Sequence, residues 1–178
     1  YMFGAGQGYK ELVYPTISTG IGGGIISGGR LLNGATGMAG ELGHITIDWR
    51  GERCNCGNIG CLERIASGTA IARQANEAIV IGKGDELLAF ALAHPEQDKT
   101  ANTPIDNEIE ATTPLHVNTR TVARAAQAGI PLACEIIARA AEALGVGLVD
   151  IIHIFNPEII VLGGGVTQMD ELLIGPAR

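Results

Sequence analysis

The stretch Cys54-Asn55-Cys56-Gly57-Asn58-Ile59-Gly60-Cys61 places three thiols within eight residues, and Gly40-Glu41-Leu42-Gly43-His44 precedes it. Three thiolates and one imidazole form a ligand set that a tetrahedral zinc ion prefers, and such a site is closed to substrate. Gly57 and Gly60 allow the backbone to fold back, so that the three sulfurs can converge. The sequence therefore predicts a structural Zn²⁺ site formed by His44, Cys54, Cys56 and Cys61.

The alternative for these cysteines is a disulfide or a set of free thiols. Cys54 and Cys56 are too close in sequence to bridge each other without strain, whereas Cys61 has either of them as a candidate partner. The sequence shows no signal peptide and no run of about 20 apolar residues. We therefore expect a cytoplasmic protein that does not engage a membrane, and a reducing compartment favours metal over disulfide. Cys134, in an alanine-rich stretch, is predicted to be a small buried apolar residue.

Composition indicates one substantial globular domain of the α/β class. The chain has 178 residues, of which 26 are glycine, and 46% are hydrophobic. The formal net charge of −7 argues against nucleic-acid binding by this segment. Because the sequence opens with Tyr1 and stops at Arg178 within a helical pattern, we expect it to be an internal segment of a longer protein.

Short strands are predicted before the cysteine-rich loop. The run Leu12–Ile17 has β-forming residues, and Pro15 within it indicates an edge strand or a break in the ladder. Ser27-Gly28-Gly29-Arg30 is typical of a tight hairpin. The other predictions here are a turn over 18–24, a strand from 25–26, a return strand over 30–32, a loop over 34–40 and a strand over 44–47.

Helices are predicted after the cysteine-rich loop. Ser67 is the expected N-cap of a helix with an apolar stripe, and Pro131 suits the first turn of the longest helix, which should end near Phe155. The apolar face of that helix is predicted to contain Ile136, Ala140, Ala143, Leu144, Gly147 and Ile151. Three further helices are expected: one that begins at Asp85, one from Thr119 to Gly129, and one over 170–174. A surface loop is predicted over 94–117, and a strand buried on both faces over 159–162.

Two glycine-rich turns follow predicted strands, where open α/β sheets bind ligands. Thr19-Gly20-Ile21-Gly22-Gly23-Gly24 offers a hydroxyl and several backbone N–H groups for phosphate oxygens, and Gly163-Gly164-Gly165 leaves bare backbone for a base or ribose. The alternative is that both are only tight turns. Neither a Walker lysine motif nor a dinucleotide fingerprint is present in the sequence.

Taken together and in order, these motifs resemble the ROK family (repressors, open reading frames and sugar kinases). The resemblance also includes the segments 3–8 and 155–158 and extends over nearly the whole chain. It implies an actin-like ATPase, ribonuclease H-like fold with an inserted zinc-binding loop at about 44–63. It further implies an adenosine-side helix–strand–glycine unit at about 131–166, with the N-terminal lobe of the family absent from residues 1–178.

The resemblance also implies roles for individual residues. Glu41, His44 and Glu63 stand where the family binds sugar hydroxyls, with one ring nitrogen of His44 for zinc and the other for sugar. Thr19 and Gly20 match the turn that contacts ATP phosphates, and Gly163, Gly164 and Gly165 match the adenosine loop. Ser18 departs from the glycine that commonly begins that turn. The general-base aspartate of the family is expected upstream of Tyr1, so the isolated segment is expected to be inactive.

The expected function is ATP- and Mg²⁺-dependent phosphorylation of a hexose, glucose first, by a full-length protein that forms a dimer or tetramer. One alternative is a sugar-responsive repressor of the same family whose DNA-binding domain lies outside this chain. Another is a zinc-stabilised interaction module, in which Glu41 and Glu63 are ordinary surface carboxylates.

Overall fold

The computed structural model describes residues 4–95 and 117–177, and a mixed four-stranded sheet organises them. Its order is β3-β2-β1-β4, with antiparallel pairing of β1 to β2 and β2 to β3, and parallel pairing of β1 to β4. The strands are β1 (Leu12–Ile17), β2 (Ile21–Ser27), β3 (Arg30–Leu31) and β4 (Ile159–Ile160).

The hairpin between β2 and β3 is confirmed, but the preceding glycine-rich turn is shorter than predicted. Gly28 and Gly29 connect the two strands at φ 58° and 75°, the positive values that a two-residue hairpin of this kind requires. Only 18–20 forms the turn, because Gly22–Gly24 pair with β1. At Gly23 a Cβ would lie 2.6 Å from Leu42 Cδ1, so the glycine here serves close packing within a strand.

Pro15 interrupts a ladder, as predicted, although β1 is a central strand rather than an edge strand. On the β4 side, Val161 N donates to Val13 O at 2.9 Å and Gly163 N donates to Pro15 O at 3.0 Å. The parallel pattern calls for an N–H of residue 15 between these two bonds, and proline has none. Regular pairing with β4 is accordingly limited to Leu12 and Val13.

The described ranges contain six α-helices: α1 (Glu63–Ala66), α2 (Gly68–Val80), α3 (Asp85–Ala93), α4 (Thr119–Gln127), α5 (Pro131–Phe155) and α6 (Ile174–Ala177). Ser67 caps α2 as predicted, since its Oγ accepts from Ala70 N at 3.1 Å. The cap of α4 is Asn118 rather than Thr119, because Asn118 Oδ1 accepts from Thr121 N at 2.9 Å. The Thr119 hydroxyl instead donates to Gly68 O at 2.6 Å.

The longest helix, α5, has the predicted bounds and the predicted buried face. Its six predicted apolar positions are all buried. At Gly147 a Cβ would lie 2.7 Å from Leu62 Cδ2, so the glycine allows α5 to approach the segment that leads into α1. The helix ends at Phe155, and its C-cap residue Asn156 has a left-handed backbone at φ 43°.

Four local predictions are wrong. The segment 44–47 is not a strand, since Leu42–His44 is a 3₁₀ turn and Thr46 makes only an isolated bridge to Cys61. The strand over 159–162 is two residues long and half-buried. A 3₁₀ segment, Gly165–Leu172, occupies most of the range 170–174. Cys134 is exposed, and its thiol donates to Ala126 O at 3.5 Å. Most of the predicted loop over 94–117 lies outside the described residues.

The N-terminal end of β1 is anchored to the segment before β4 by a carboxylate. Glu158 Oε2 accepts from Lys10 N at 2.7 Å and from Glu11 N at 2.9 Å. Hydrogen bonds from the main chain of Glu11 and then Lys10 lower the pKa of Glu158, because they favour its ionised form.

Within the described ranges, no helix has the length and apolar character needed to cross a membrane.

A buried side-chain amide on α2 holds Val117, two residues before α4. Asn76, on α2, is 2% exposed. Its Nδ2 donates to Val117 O at 2.7 Å, and its Oδ1 accepts from Val117 N at 3.0 Å. One side chain thus satisfies both main-chain groups of a residue that lies outside a helix or strand.

We predict that Asn76→Ala lowers the free energy of unfolding by about 2–4 kcal/mol, because both polar groups of Val117 would be left buried without a partner. Urea unfolding followed by circular dichroism measures this loss. Gln127→Ala, at an exposed position of α4, should change stability by less than about 0.5 kcal/mol. Equal midpoints for the two variants would contradict the role assigned to Asn76.

Candidate functional site

The cysteine-rich loop folds back on itself and gathers four candidate metal ligands. Cys54 N donates to Asn58 O at 2.7 Å, and Gly57 N donates to Cys54 O at 2.9 Å. Gly57 and Gly60 have φ values of 93° and 67°, as their predicted role in the turn requires. The ligand atoms of His44, Cys54, Cys56 and Cys61 all lie within 4.8 Å of one another.

The distances within this group fit a tetrahedral zinc site. Cys54 Sγ lies 3.7 Å from His44 Nδ1, and Cys56 Sγ lies 3.6 Å from Cys61 Sγ. Zinc bonds of ordinary length arranged tetrahedrally place two sulfurs about 3.8 Å apart, and a sulfur and a nitrogen about 3.6 Å apart. A disulfide needs about 2.05 Å between sulfurs, and all three cysteines of the loop are free.

The thiols of the group differ in acidity. Burial raises the pKa of Cys61 to about 12, and the neighbouring thiols of Cys56 and Cys54 add to the effect. The pKa of the exposed Cys56 is lowered, chiefly by a hydrogen bond from the main chain of Asn58. Metal ligation requires thiolates, so a cation bound here has to offset the cost of deprotonating Cys61 by its own charge.

His44 presents its two ring nitrogens to different neighbours. Nδ1 faces Cys54, while Nε2 lies 3.9 Å from Glu41 Oε2, which is beyond direct hydrogen-bond distance. Glu41 is half exposed. This arrangement suits a ring that gives one nitrogen to a metal and keeps the other for a polar ligand held between His44 and Glu41.

A cleft of about 240 Å³ brings the predicted phosphate turn together with the cysteine-rich loop. Its lining includes Thr19, Gly20, Cys54, Glu63, Arg64 and Thr69. Glu41, His44 and the glycines 163–165 are not among the lining residues. The structure therefore joins part of the predicted sugar set and part of the predicted nucleotide set in one cavity.

Glu63 and Gly20 meet directly at this cleft. Glu63 is the first residue of α1, and its Oε2 accepts from Ile21 N at 2.7 Å. A Cβ on Gly20 would lie 2.6 Å from the same oxygen, so only glycine allows the turn to come this close to the carboxylate. The contact fixes the orientation of Glu63.

The N-terminal end of α2 holds the turn over 18–20. Gly68 N donates to Ser18 O at 2.7 Å, and Thr69 N donates to Thr19 O at 3.2 Å. The Thr69 hydroxyl donates to the same carbonyl of Thr19 at 2.8 Å. Because Ser18 takes part through its main chain, a serine is compatible with the turn where the family commonly has glycine.

The loop over 163–165 lies beside the end of β1. Gly163 O accepts from Ile17 N at 2.7 Å. A Cβ on Gly163 would overlap the Tyr14 hydroxyl, and a Cβ on Gly164, at φ 100°, would overlap Ile17 O. Both glycine-rich turns thus lie at the carboxyl ends of the parallel strands β1 and β4, as the sequence predicts.

Five residues of the cleft have no predicted role in ligand binding: Asn55, Arg64, Ser67, Thr69 and Ala70. Arg64 directly follows Glu63, and Asn55 stands between two predicted metal ligands, so proximity in sequence was an available signal for both. For Thr69 the signal is weaker, since only its place in the first turn of α2 marks it.

Comparisons with known proteins agree with this architecture. A sequence model described as the ROK family matches residues 1–177. The glucokinase of Thermotoga maritima is 39% identical over 176 residues, which are 99% of this chain and 49% of that protein. The DNA-binding transcriptional dual regulator NagC of Escherichia coli is 33% identical over 174 residues, 98% of this chain and 37% of the regulator.

Solved structures give the same result. A ROK family glucokinase from Streptomyces griseus, crystallised with glucose and AMPPNP, superposes with a TM-score of 0.76 at 34% identity and covers 100% of this chain and 52% of that chain. The ROK hexokinase from Thermus thermophilus gives a TM-score of 0.73 at 34% identity, with 99% and 51% covered. The chain spans about half the length of the curated glucokinases that it matches. It has the α/β, actin-like sugar-kinase fold, and it belongs to the ROK family.

Proposed function

We propose that the protein containing this chain phosphorylates a hexose, glucose first, at the expense of ATP. The observation that carries the proposal is the cleft in which the turn bearing Thr19 and Gly20 meets Glu63 beside the cysteine-rich loop. The named activities of the glucokinase and hexokinase relatives support the same reaction class.

In this proposal the carboxylates Glu41 and Glu63, with the free ring nitrogen of His44, accept hydrogen bonds from sugar hydroxyls. Glu63 is suited to this task because its contact with Ile21 N fixes its orientation before a sugar arrives. Carboxylates held at defined angles distinguish hydroxyl stereochemistry, because a misplaced hydroxyl loses its hydrogen bond to the carboxylate.

The nucleotide is assigned to the two glycine-rich turns. Thr19 and Gly20 are assigned to the phosphates, and Gly163, Gly164 and Gly165 to the adenosine. Bound Mg²⁺ supplies neutralisation of the phosphate charge. The proton acceptor for the sugar hydroxyl is assigned to a segment outside residues 1–178, because no aspartate of this chain stands in the motif of the family.

Zinc is assigned to His44, Cys54, Cys56 and Cys61 as a structural ion. The supporting facts are the donor set and the mutual distances of the four side chains. Four further points stay predictions: the domain division at about 44–63 and 131–166, the dimer or tetramer, the cytoplasmic location, and the lack of nucleic-acid binding by this segment.

Replacement of Glu63 tests the sugar assignment in the full-length protein. Glu63→Gln should lower kcat/KM for glucose about 10- to 100-fold, because it removes a charged acceptor from a hydroxyl. A coupled assay of ADP release measures this loss, and Glu142→Gln on the exposed face of α5 is the matched control. Failure of glucose, mannose, fructose and N-acetylglucosamine to stimulate ADP release from the unsubstituted protein would rule out the kinase.

The regulator NagC supports a second candidate, a sugar-responsive repressor. It predicts sugar binding without ADP release, together with DNA binding that the sugar weakens. Calorimetry with glucose and N-acetylglucosamine, followed by a DNA mobility-shift assay on the same preparation, separates the two functions.

Removal of one thiol tests the zinc assignment. Cys56→Ser should reduce zinc from about one ion per chain to a small fraction and lower Tm by about 10 °C or more, because structural zinc contributes several kcal/mol. Elemental analysis and calorimetry measure both quantities. Cys134→Ser, at an exposed thiol outside the cluster, should retain the metal. Full zinc content in Cys56→Ser would show that the ligand set is wrong.

The purified segment 1–178 should show no hexose-dependent ADP release, because its set of site residues includes no general base. The measurement is a single-turnover assay at high protein concentration, with the full-length protein as the positive control. Turnover by a contamination-free segment would place the proton acceptor within this chain.

A further inference from the structure

Arg73, on α2, is a buried cation at the centre of a network of ionic side chains. Its side chain is only 10% exposed. Nη2 lies 2.9 Å from Glu52 Oε2 and donates to Arg64 O at 3.2 Å, while Nη1 contacts Glu77 Oε1 at 2.8 Å. The guanidinium therefore connects three segments: the neck of the cysteine-rich loop, α1 and its own helix.

Glu52 is the member of the network that belongs to the cysteine-rich loop. Its main-chain carbonyl accepts from Gly60 N at 2.8 Å, which closes the loop at its neck immediately before Cys61. Its carboxylate also lies 3.4 Å from Arg64 Nε. Holding Glu52 thus holds both ends of the segment that carries the thiols.

Arg64 is the member that belongs to α1, next to the cleft carboxylate Glu63. The helix α1 has four residues, too few for a helix to be stable by itself. Its orientation consequently depends on outside contacts, and one of these is the bond from Arg73 to the Arg64 carbonyl. That bond acts on the residue next to the one whose carboxylate meets Ile21 N.

An arginine is suited to this position. Its planar fork bonds two carboxylates and a carbonyl at the same time, whereas a lysine ammonium at the end of a flexible stem is a single point charge. Glu77 lies on α2, four residues after Arg73. In the ion pairs and hydrogen bonds described above, Glu77 contacts Arg73 and neither the neck of the cysteine-rich loop nor α1.

We infer that Arg73 is a positioning residue: through Glu52 and the Arg64 carbonyl it sets the cysteine-rich loop and Glu63 in the mutual geometry that the site requires. The inference rests on the proposed function for its effect on sugar, and on the geometry alone for its effect on Glu63. Arg73 does not itself line the cleft.

The test compares Arg73→Met, Arg73→Lys and Glu52→Gln with the matched control Glu77→Gln, all in the full-length protein. Hydrogen exchange is measured at the amides of Gly60 and Ile21, normalised to the α5 amide of Ala140. Arg73→Met and Glu52→Gln should accelerate exchange at both amides at least tenfold, Arg73→Lys should lie between, and Glu77→Gln should match the unsubstituted protein. Ile21 is informative because its N–H donates to Glu63, which is not itself a member of the network.

Two further readouts connect the geometry to function. Loss of zinc to a chromogenic chelator should be at least tenfold faster in Arg73→Met, and KM for glucose should rise about tenfold with kcat changed less than threefold. If Arg73→Met fails to fold, Arg73→Lys and Glu52→Gln decide the test, and the Glu52 side chain is half exposed.

Unchanged Ile21 exchange in Glu52→Gln and in any Arg73 variant that folds would overturn the inference, as would equal acceleration in Glu77→Gln. A protein that binds neither zinc nor sugar but shows the predicted exchange pattern would refute the proposed function and leave the positioning role supported.

Discussion

The structure depends on a main-chain joint between the turn at 18–20 and the first turn of α2. Gly68 N and Thr69 N donate to the carbonyls of Ser18 and Thr19, so a loop of the sheet and the end of a helix are hydrogen-bonded as if they were neighbouring strands. A Cβ on Gly68 would lie 2.9 Å from Ser18 O, so the joint requires glycine. It fixes one wall of the cleft to the sheet and the other to the helical layer.

The joint also explains why so many glycines lie around the site. Gly20 allows the carboxylate of Glu63 to reach the turn, and Gly163 allows Tyr14 to pack against the neighbouring loop. At these positions glycine provides space for close approach rather than freedom of the backbone. A wall built from main chain presents N–H and C=O groups at fixed positions, which is appropriate for ligands rich in oxygen.

The fold is predictable from the sequence where local signals agree with the final contacts. The bounds of α5 follow from Pro131 at its start and Asn156 at its end, and the hairpin follows from two adjacent glycines. The predicted turn at Gly22–Gly24 is wrong, because the propensity of glycine indicates a turn, whereas pairing with β1 and the packing of Leu42 make this segment a strand. A single sequence contains no information about that tertiary contact.

The candidate site shows the same division. Convergence of the thiols was predictable, because the ligands and the turn glycines lie within one short segment. The resemblance to the ROK family supplied the roles of Glu41 and Glu63, but the contact of Glu63 with Gly20 appears only in the fold. The network of Arg73 was not predicted, since its partners Glu52 and Arg64 lie elsewhere along the chain. No local sequence signal distinguishes an exposed arginine from a buried one.

The placement of β1 has a consequence for biosynthesis. Lys10 and Glu158, which flank the parallel pairing of β1 with β4, are 148 residues apart. While the chain emerges from the ribosome, β1 can pair with β2 at once, but its other edge waits until the region of Glu158 has been made. An open strand edge recruits strands from other molecules. Pro15 removes a donor from that waiting edge, so the residue that interrupts the finished ladder also protects the nascent chain against intermolecular association.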